Sequence, residues 1–179
     1  YPAEFMAATM SSEMSDTDKV RVFYEDCRAN GLAMLAPDIN LSGYRFEPVD
    51  DKLVRYGLGA IKGTGLGAIE AIVEARDAAG PFRSLFDFCA RVDRARINKR
   101  AVEALVKAGA FDRLEANRAS LVASVPLAFD YAESQLAHAD QCGLFDDAFD
   151  SHAASTQEPA LVAAEPWSAL PGWGDDRVE

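Results

Sequence analysis

The 179 residues carry 18 Lys+Arg against 29 Asp+Glu, a net charge of −11, with 49% apolar and 26% charged side chains. That balance describes a folded, water-soluble chain; no apolar run approaches the ~18–20 residues that span a bilayer. A sequence pI near 4.6 argues, taken as an average, against a nucleic-acid binder.

Residues 1–14 open with Phe5, Met6, Ala7, Ala8 and Met10, the expected end of a helix. There is no basic n-region or signal core, which predicts no secretion, and the lack of an initiator Met predicts a piece of a longer chain. Ser15-Asp16-Thr17-Asp18 supplies N-cap candidates for a second helix. Val20, Phe23, Tyr24 and Cys27 lie at its helical spacing, and Gly31 is its natural stop. Residues 32–35 form a short apolar run ended by Pro37, and 39–42 read as loop. Residues 45–49 and 53–56, separated by Asp50-Asp51, predict a small β-hairpin.

The run from Gly57 to Gly67 is too glycine-rich for a helix interior and leads into a helix over 68–79, with Ile69, Ile72 and Val73 on one face. Gly80-Pro81 ends it. A short helix over 84–92 offers Leu85, Phe86 and Phe88 as core residues. Asn98 caps a further helix over 99–108 with Val102, Leu105 and Val106 inward, and Gly109-Ala110-Phe111 turns the chain. The last helical region runs from about 117 to 139, interrupted near Pro126. From Asp140 onward the sequence is Asp-, Ala- and Pro-rich without period, and reads as tail or linker.

Cys27, Cys89 and Cys142 are odd in number and widely spaced, which predicts reduced thiols in the cytoplasm and no disulfide frame. His138 and Cys142 stand i, i+4, but two ligands without a third make no zinc site. Charge is unevenly spread. Residues 1–51 hold 4 basic and 10 acidic side chains, 52–113 hold 12 and 7, and 114–179 hold 2 and 12. The acidic average therefore conceals a basic middle segment that is able to face phosphate.

Three readings compete for the glycine run. A dinucleotide fingerprint needs G-x-G-x-x-G between parallel strands, which are missing. A P-loop needs Gly-Lys-[Ser/Thr], whereas Lys62 precedes Gly63. The third is helix, tight hairpin, helix: Ile61, Gly63, Gly65, Ala68 and Ile72 give apolar-x-Gly-x-Gly-x-x-Ala-x-x-x-Ile, which resembles the helix-hairpin-helix motif of sequence-independent DNA-binding proteins. Glycines at positive φ bring bare backbone N–H groups to a ligand at a helix N-terminus, where an anion is favoured. The phosphate-binding candidates are Lys62, Gly63, Thr64, Gly65, Leu66 and Gly67. A packing turn without ligand is the alternative. Residues 101–111 repeat the pattern with one glycine, Gly109, with Lys99, Arg100 and Lys107 around it. Two such hairpins joined through 84–92 predict a mainly α, tandem helix-hairpin-helix domain of four helices.

Five strings then carry a wider resemblance: Tyr24-Glu25-Asp26-Cys27-Arg28, Pro37-Asp38-Ile39-Asn40, Gly57-Leu58-Gly59-Ala60-Ile61-Lys62-Gly63, Ser84-Leu85-Phe86-Asp87-Phe88, and Asn98-Lys99-Arg100-Ala101 through to Asp112. In this order they resemble the bacterial C-family replicative polymerases, the DNA polymerase III alpha subunits. The resemblance implies the end of a fingers region over 1–50, a tandem helix-hairpin-helix domain over 51–139, and an acidic tail over 140–179. It implies that the catalytic aspartates and their Mg2+ belong to a palm domain upstream, so that this chain has no catalytic or metal residue of its own and does not polymerise DNA alone. Gln141, Leu144 and Phe145 match Gln-x-x-Leu-Phe, the peptide by which such proteins dock on the sliding clamp. The expected partners are duplex DNA, the clamp and other polymerase III holoenzyme subunits, in the cytoplasm and with no membrane. A scaffold of degenerate hairpins that binds only protein is the alternative.

Overall fold

The structure is a computed structural model that describes residues 1–142 and 157–163. It is mainly α-helical, as expected, with a small sheet. Helix α1 (Pro2–Ser12) is followed by α2 (Thr17–Ala29), whose Asp16 carboxylate accepts the N–H groups of Asp18 and Lys19. Gly31, at φ +73°, closes that helix. The strands are β1 (Ala33–Leu35), β2 (Glu47–Asp50) and β3 (Leu53–Arg55), in the order β1-β3-β2. The β2–β3 hairpin matches the sequence expectation within a residue or two and contains a bulge between Pro48 and Asp50.

Strand β1 adds to the sequence reading. The short apolar run over 32–35, for which the sequence predicts no element, contains a strand: Ala33, Met34 and Leu35 pair in parallel with Leu53, Val54 and Arg55. Its three residues are too few for a period, and its partner lies a crossover away, so no local signal announces it. Residues on both sides of the expected division at 50/51 thus share one sheet. Their core contains Ala3, Met6, Met10, Val20, Cys27, Phe46 and Val54. The buried Ser11 hydroxyl fastens α1 to the sheet by accepting the Phe46 N–H at 3.1 Å.

The larger core belongs to α3 (Leu66–Ala79), α4 (Leu85–Arg91), α5 (Lys99–Lys107) and α6 (Arg118–Cys142). Ile69 and Ile72 from α3 meet Phe86 and Phe88 from α4, Val102, Leu105 and Val106 from α5, and Leu121, Val125 and Phe129 from α6. Phe88 sits at the centre, edge-on to Phe82 at 5.0 Å and to Phe111 at 5.1 Å. Ser84 and Asn98 cap α4 and α5 by accepting the N–H groups of Asp87 and Ala101.

Two further expectations change. Helix α6 runs unbroken through Pro126. Pro126 and its neighbours Ala123 and Leu127 are exposed and Val122, whose carbonyl loses its ladder partner, is only partly buried, so the missing bond lies towards the outer side of the helix. The expected first helix of the first hairpin is only a 3₁₀ turn, Leu58–Ala60. The N–H groups of Leu58 and Gly59 are committed to the carbonyls of Gly43 and Tyr44, both at 2.9 Å, and so cannot join a longer helix.

Candidate nucleic-acid interface

The glycine run divides into two functional halves. A Cβ on Gly57 would stand 2.4 Å from the Arg45 carbonyl carbon, and one on Gly59 would stand 2.5 Å from the Tyr44 ring. These two glycines are required by packing. Gly63 has φ +97°, and a Cβ there would come no nearer than 3.8 Å to Ala104. A Cβ on Gly65 or Gly67 would meet nothing within 4 Å. No neighbour among the described residues requires Gly65 or Gly67, and these residues leave that surface bare.

The sequence argument assigns positive φ to two glycines of the hairpin. Only Gly63 adopts it; Gly65, the N-cap of α3, has the ordinary extended values φ −90° and ψ 159° and makes no side-chain cap. Among the described residues, the N–H groups of Gly65, Leu66 and Gly67 have no hydrogen-bond acceptor. They are the free donors of a helix N-terminus, facing outward. Leu66 itself is 49% exposed at the first helical position. Thr64 serves differently, its hydroxyl lying 2.9 Å from the Leu58 carbonyl and 2.7 Å from that of Ile61, which fixes the hairpin to the 3₁₀ turn.

Helix α5 brings the second group of predicted residues to the same surface. Its buried face is Ala101, Val102, Leu105 and Val106, so Arg100, Ala104 and Lys107 share the opposite side. Ala104 is the residue nearest the Gly63 Cα–H, and Arg100 and Lys107 lie one helical turn to either side of it. Lys107 is held to Glu103 at 3.8 Å and Lys99 to Asp130 at 3.8 Å, with the Lys99 ammonium over the Phe129 ring. Lys62 and Arg100 make no ion pair among the described residues.

The second hairpin is built more tightly. Gly109 has φ +86°, but a Cβ there would lie 2.5 Å from the Arg118 guanidinium. Arg118 donates to Asp112 at 2.8 Å and to the Lys107 carbonyl at 3.2 Å, and this hydrogen bond with Asp112 holds its pKa above the ordinary arginine value. Asn117 occupies the start of α6 by accepting the Ser120 N–H. In the second hairpin side chains thus accept the Asn117 and Ser120 N–H groups, and the Arg118 guanidinium lies over Gly109. Sequence reasoning missed Arg118 and Asn117, although an Asn immediately before an Arg-headed helix is a readable cap signal.

Much of the basic middle segment is structural. Arg91 donates to the carbonyls of Ala75 and Pro81 and pairs with Asp87 at 3.0 Å; Arg96 joins Glu70 and Glu74; Arg113 reaches Asp38 at 3.3 Å. Asp38 also accepts the Asn40 N–H at 2.7 Å, while the Asn40 amide exchanges two hydrogen bonds with the Phe82 backbone. The Pro37–Asn40 string thus ties the loop before β2 to the segment after α3 and to the second hairpin.

Gln141 falls in the last turn of α6, and Leu144 and Phe145 lie outside the described residues. Among the described residues no three His, Cys, Asp or Glu side chains converge to hold a metal ion, and no helix is long and apolar enough to cross a membrane.

Comparison with known proteins agrees with this geometry. A family model described as helix-hairpin-helix motif matches residues 31–121. The chain is 52% identical over 168 residues to the DNA polymerase III subunit alpha of Neisseria meningitidis serogroup B, a match covering 94% of this chain and 14% of that protein. The corresponding protein of Escherichia coli is 46% identical over 169 residues, covering 93% and 14%. That of Caulobacter vibrioides is 44% identical over 169 residues, covering 94% and 14%. The chain therefore spans about one seventh of these relatives. With more than half of its length inside the family model, the chain belongs to the helix-hairpin-helix motif family and is homologous to one segment of bacterial DNA polymerase III alpha subunits.

Proposed function

We propose that this chain is the part of a replicative DNA polymerase that grips the duplex backbone without regard to sequence and tethers the polymerase to the sliding clamp. One observation supports the first half above all: among the described residues, the N–H groups of Gly65, Leu66 and Gly67 have no acceptor and the nearby cations Lys62 and Arg100 have no ion pair. A phosphate oxygen accepts from those N–H groups at the positive end of α3, and Lys62, Arg100, Lys99 and Lys107 supply the surrounding charge. Such contacts fix the protein on the duplex and read no base edge. Gly109 marks the weaker end of the site, since Arg118 covers it.

In this reading nucleotidyl transfer and its Mg2+ belong to palm carboxylates elsewhere in the whole polymerase. In the same reading the chain alone incorporates no nucleotide. Gln141, Leu144 and Phe145 form the clamp-docking peptide, the amide setting register while the two apolar side chains enter a pocket. Other holoenzyme subunits are reached through the parent chain, in the cytoplasm.

Duplex binding by the 179-residue chain, followed by fluorescence anisotropy across a salt series, tests the first half. A chain contacting about three phosphates loses roughly 40-fold in affinity between 50 and 200 mM salt, with no dependence on sequence. Lys62→Glu weakens binding and flattens the salt slope. A flat slope in the parent chain removes the DNA reading. The sealed second hairpin favours a second reading, a protein-binding scaffold, for which Lys62→Glu changes nothing. For the clamp, Gln141→Ala combined with Phe145→Ala abolishes binding, and unchanged affinity eliminates the peptide.

A further inference from the structure

Apart from the docking peptide, the sequence beyond Asp140 predicts tail or linker, yet residues 157–163 lie against the helical domain. Three contacts hold them. The Val162 N–H donates to the Ser124 hydroxyl of α6 at 2.7 Å, and Ser124 is fully buried. The Ser84 hydroxyl donates to the Glu158 carboxylate at 2.7 Å while accepting the Asp87 N–H at 3.0 Å, so one hydroxyl serves both the cap of α4 and the returning segment. Leu161 is half-buried against the main core.

We propose that the face formed by α4 and α6 is a docking surface for an extended peptide, occupied by residues 157–163 of the same chain as an intramolecular strap. Each contact has a distinct part. Leu161 removes apolar surface from water. The Val162 N–H fixes the register on a buried hydroxyl oxygen that is otherwise left without this donor. Glu158 ties the other end, and Pro159 between them restricts the free segment to the extended backbone the surface accepts.

The strap is held beside Ser84 and Ser124, and Ser124 lies about 27 Å from the Cys142 end of α6 at ~1.5 Å per residue. This inference is independent of DNA or clamp binding.

Amide hydrogen exchange on the 179-residue chain tests it. The Val162 amide is expected to exchange at least about tenfold more slowly than in an unstructured peptide. Ser124→Ala returns it to the unstructured rate while the amides of Leu105 and Val106 stay slow. Should Ser124→Ala disturb α6 itself, Leu161→Asp, on a partly exposed side chain, carries the same test and the same expected loss of protection. An unprotected Val162 in the parent chain, or a Val162 as slow in Leu161→Asp as in the parent, overturns the strap.

Discussion

Three alanine substitutions within one glycine run have three different outcomes. At Gly57 the new Cβ meets backbone at 2.4 Å, contact that real Cβ atoms do not make, so the Gly57→Ala loop must move and the chain loses several kcal/mol or fails to fold. At Gly63 there is room, but φ +97° strains any L-residue, and Gly63→Ala costs about 1–2 kcal/mol. Gly65 has both room and an ordinary φ of −90°. Restricting the unfolded chain stabilises Gly65→Ala by about 0.4–1 kcal/mol. Alanine is a poorer N-cap than glycine by a comparable amount, so the net change lies within about 0.5 kcal/mol of zero.

Duplex affinity follows a different order. The Gly65 Cβ stands beside the open N–H groups of Gly65, Leu66 and Gly67, where it blocks a phosphate. A charge-assisted hydrogen bond is worth about 1.5 kcal/mol or more, so Gly65→Ala loses about tenfold in affinity with its stability intact. Urea denaturation and anisotropy titration on the same preparations separate the two effects. Unchanged duplex affinity in Gly65→Ala refutes the assignment of these donors to phosphate. A loss of more than about 1 kcal/mol in its stability refutes the statement that Gly65 is free of packing.

Two other predictions concern the core. Burial pushes the Cys89 thiol from 9.0 up to about 12, so the folded state keeps its proton at pH values where the unfolded state loses it. The stability this group contributes is complete below pH 9 and falls by about 1.4 kcal/mol per pH unit from there towards pH 12. Site-resolved alkylation at pH 9 leaves Cys89 unmodified in the native chain and labels it in urea; fast native labelling contradicts its burial. Phe88→Ala removes the ring between Phe82 and Phe111 and costs about 3–5 kcal/mol, read as a lowered urea midpoint, whereas a loss below about 1 kcal/mol means that the three rings do not form the centre of the core.

Local chemistry was legible where one residue sets one backbone feature. Asp16 and Asn98 cap the helices they precede, and Gly31, Gly63, Gly80 and Gly109 take the positive φ of stops and turns. The Gly63–Gly67 hairpin and the cations near it could be named for the same reason: bare backbone at a helix start is written in composition and spacing. Three features were not legible. Strand β1 depends on a parallel partner far along the chain, the 3₁₀ turn on donors already committed to Gly43 and Tyr44, and the docked 157–163 segment on a groove that two separate helices create.

By itself, the sequence determined the helix order, the caps, the glycine hairpin and the segregation of charge into a basic middle between acidic flanks, because each depends on residues a few positions apart. Tertiary structure alone decided which of those charges are available. Arg91, Arg96, Arg113 and Arg118 are spent on carbonyls and carboxylates from other parts of the chain, whereas Lys62 and Arg100 have no ion-pair partner among the described residues. It also decided that the Arg118 guanidinium lies over Gly109, whereas none of the described residues comes within 4 Å of a Cβ placed on Gly65 or Gly67. The physical reason is the same in each case: a charge or an N–H group is open to a ligand only if the fold supplies it no internal partner.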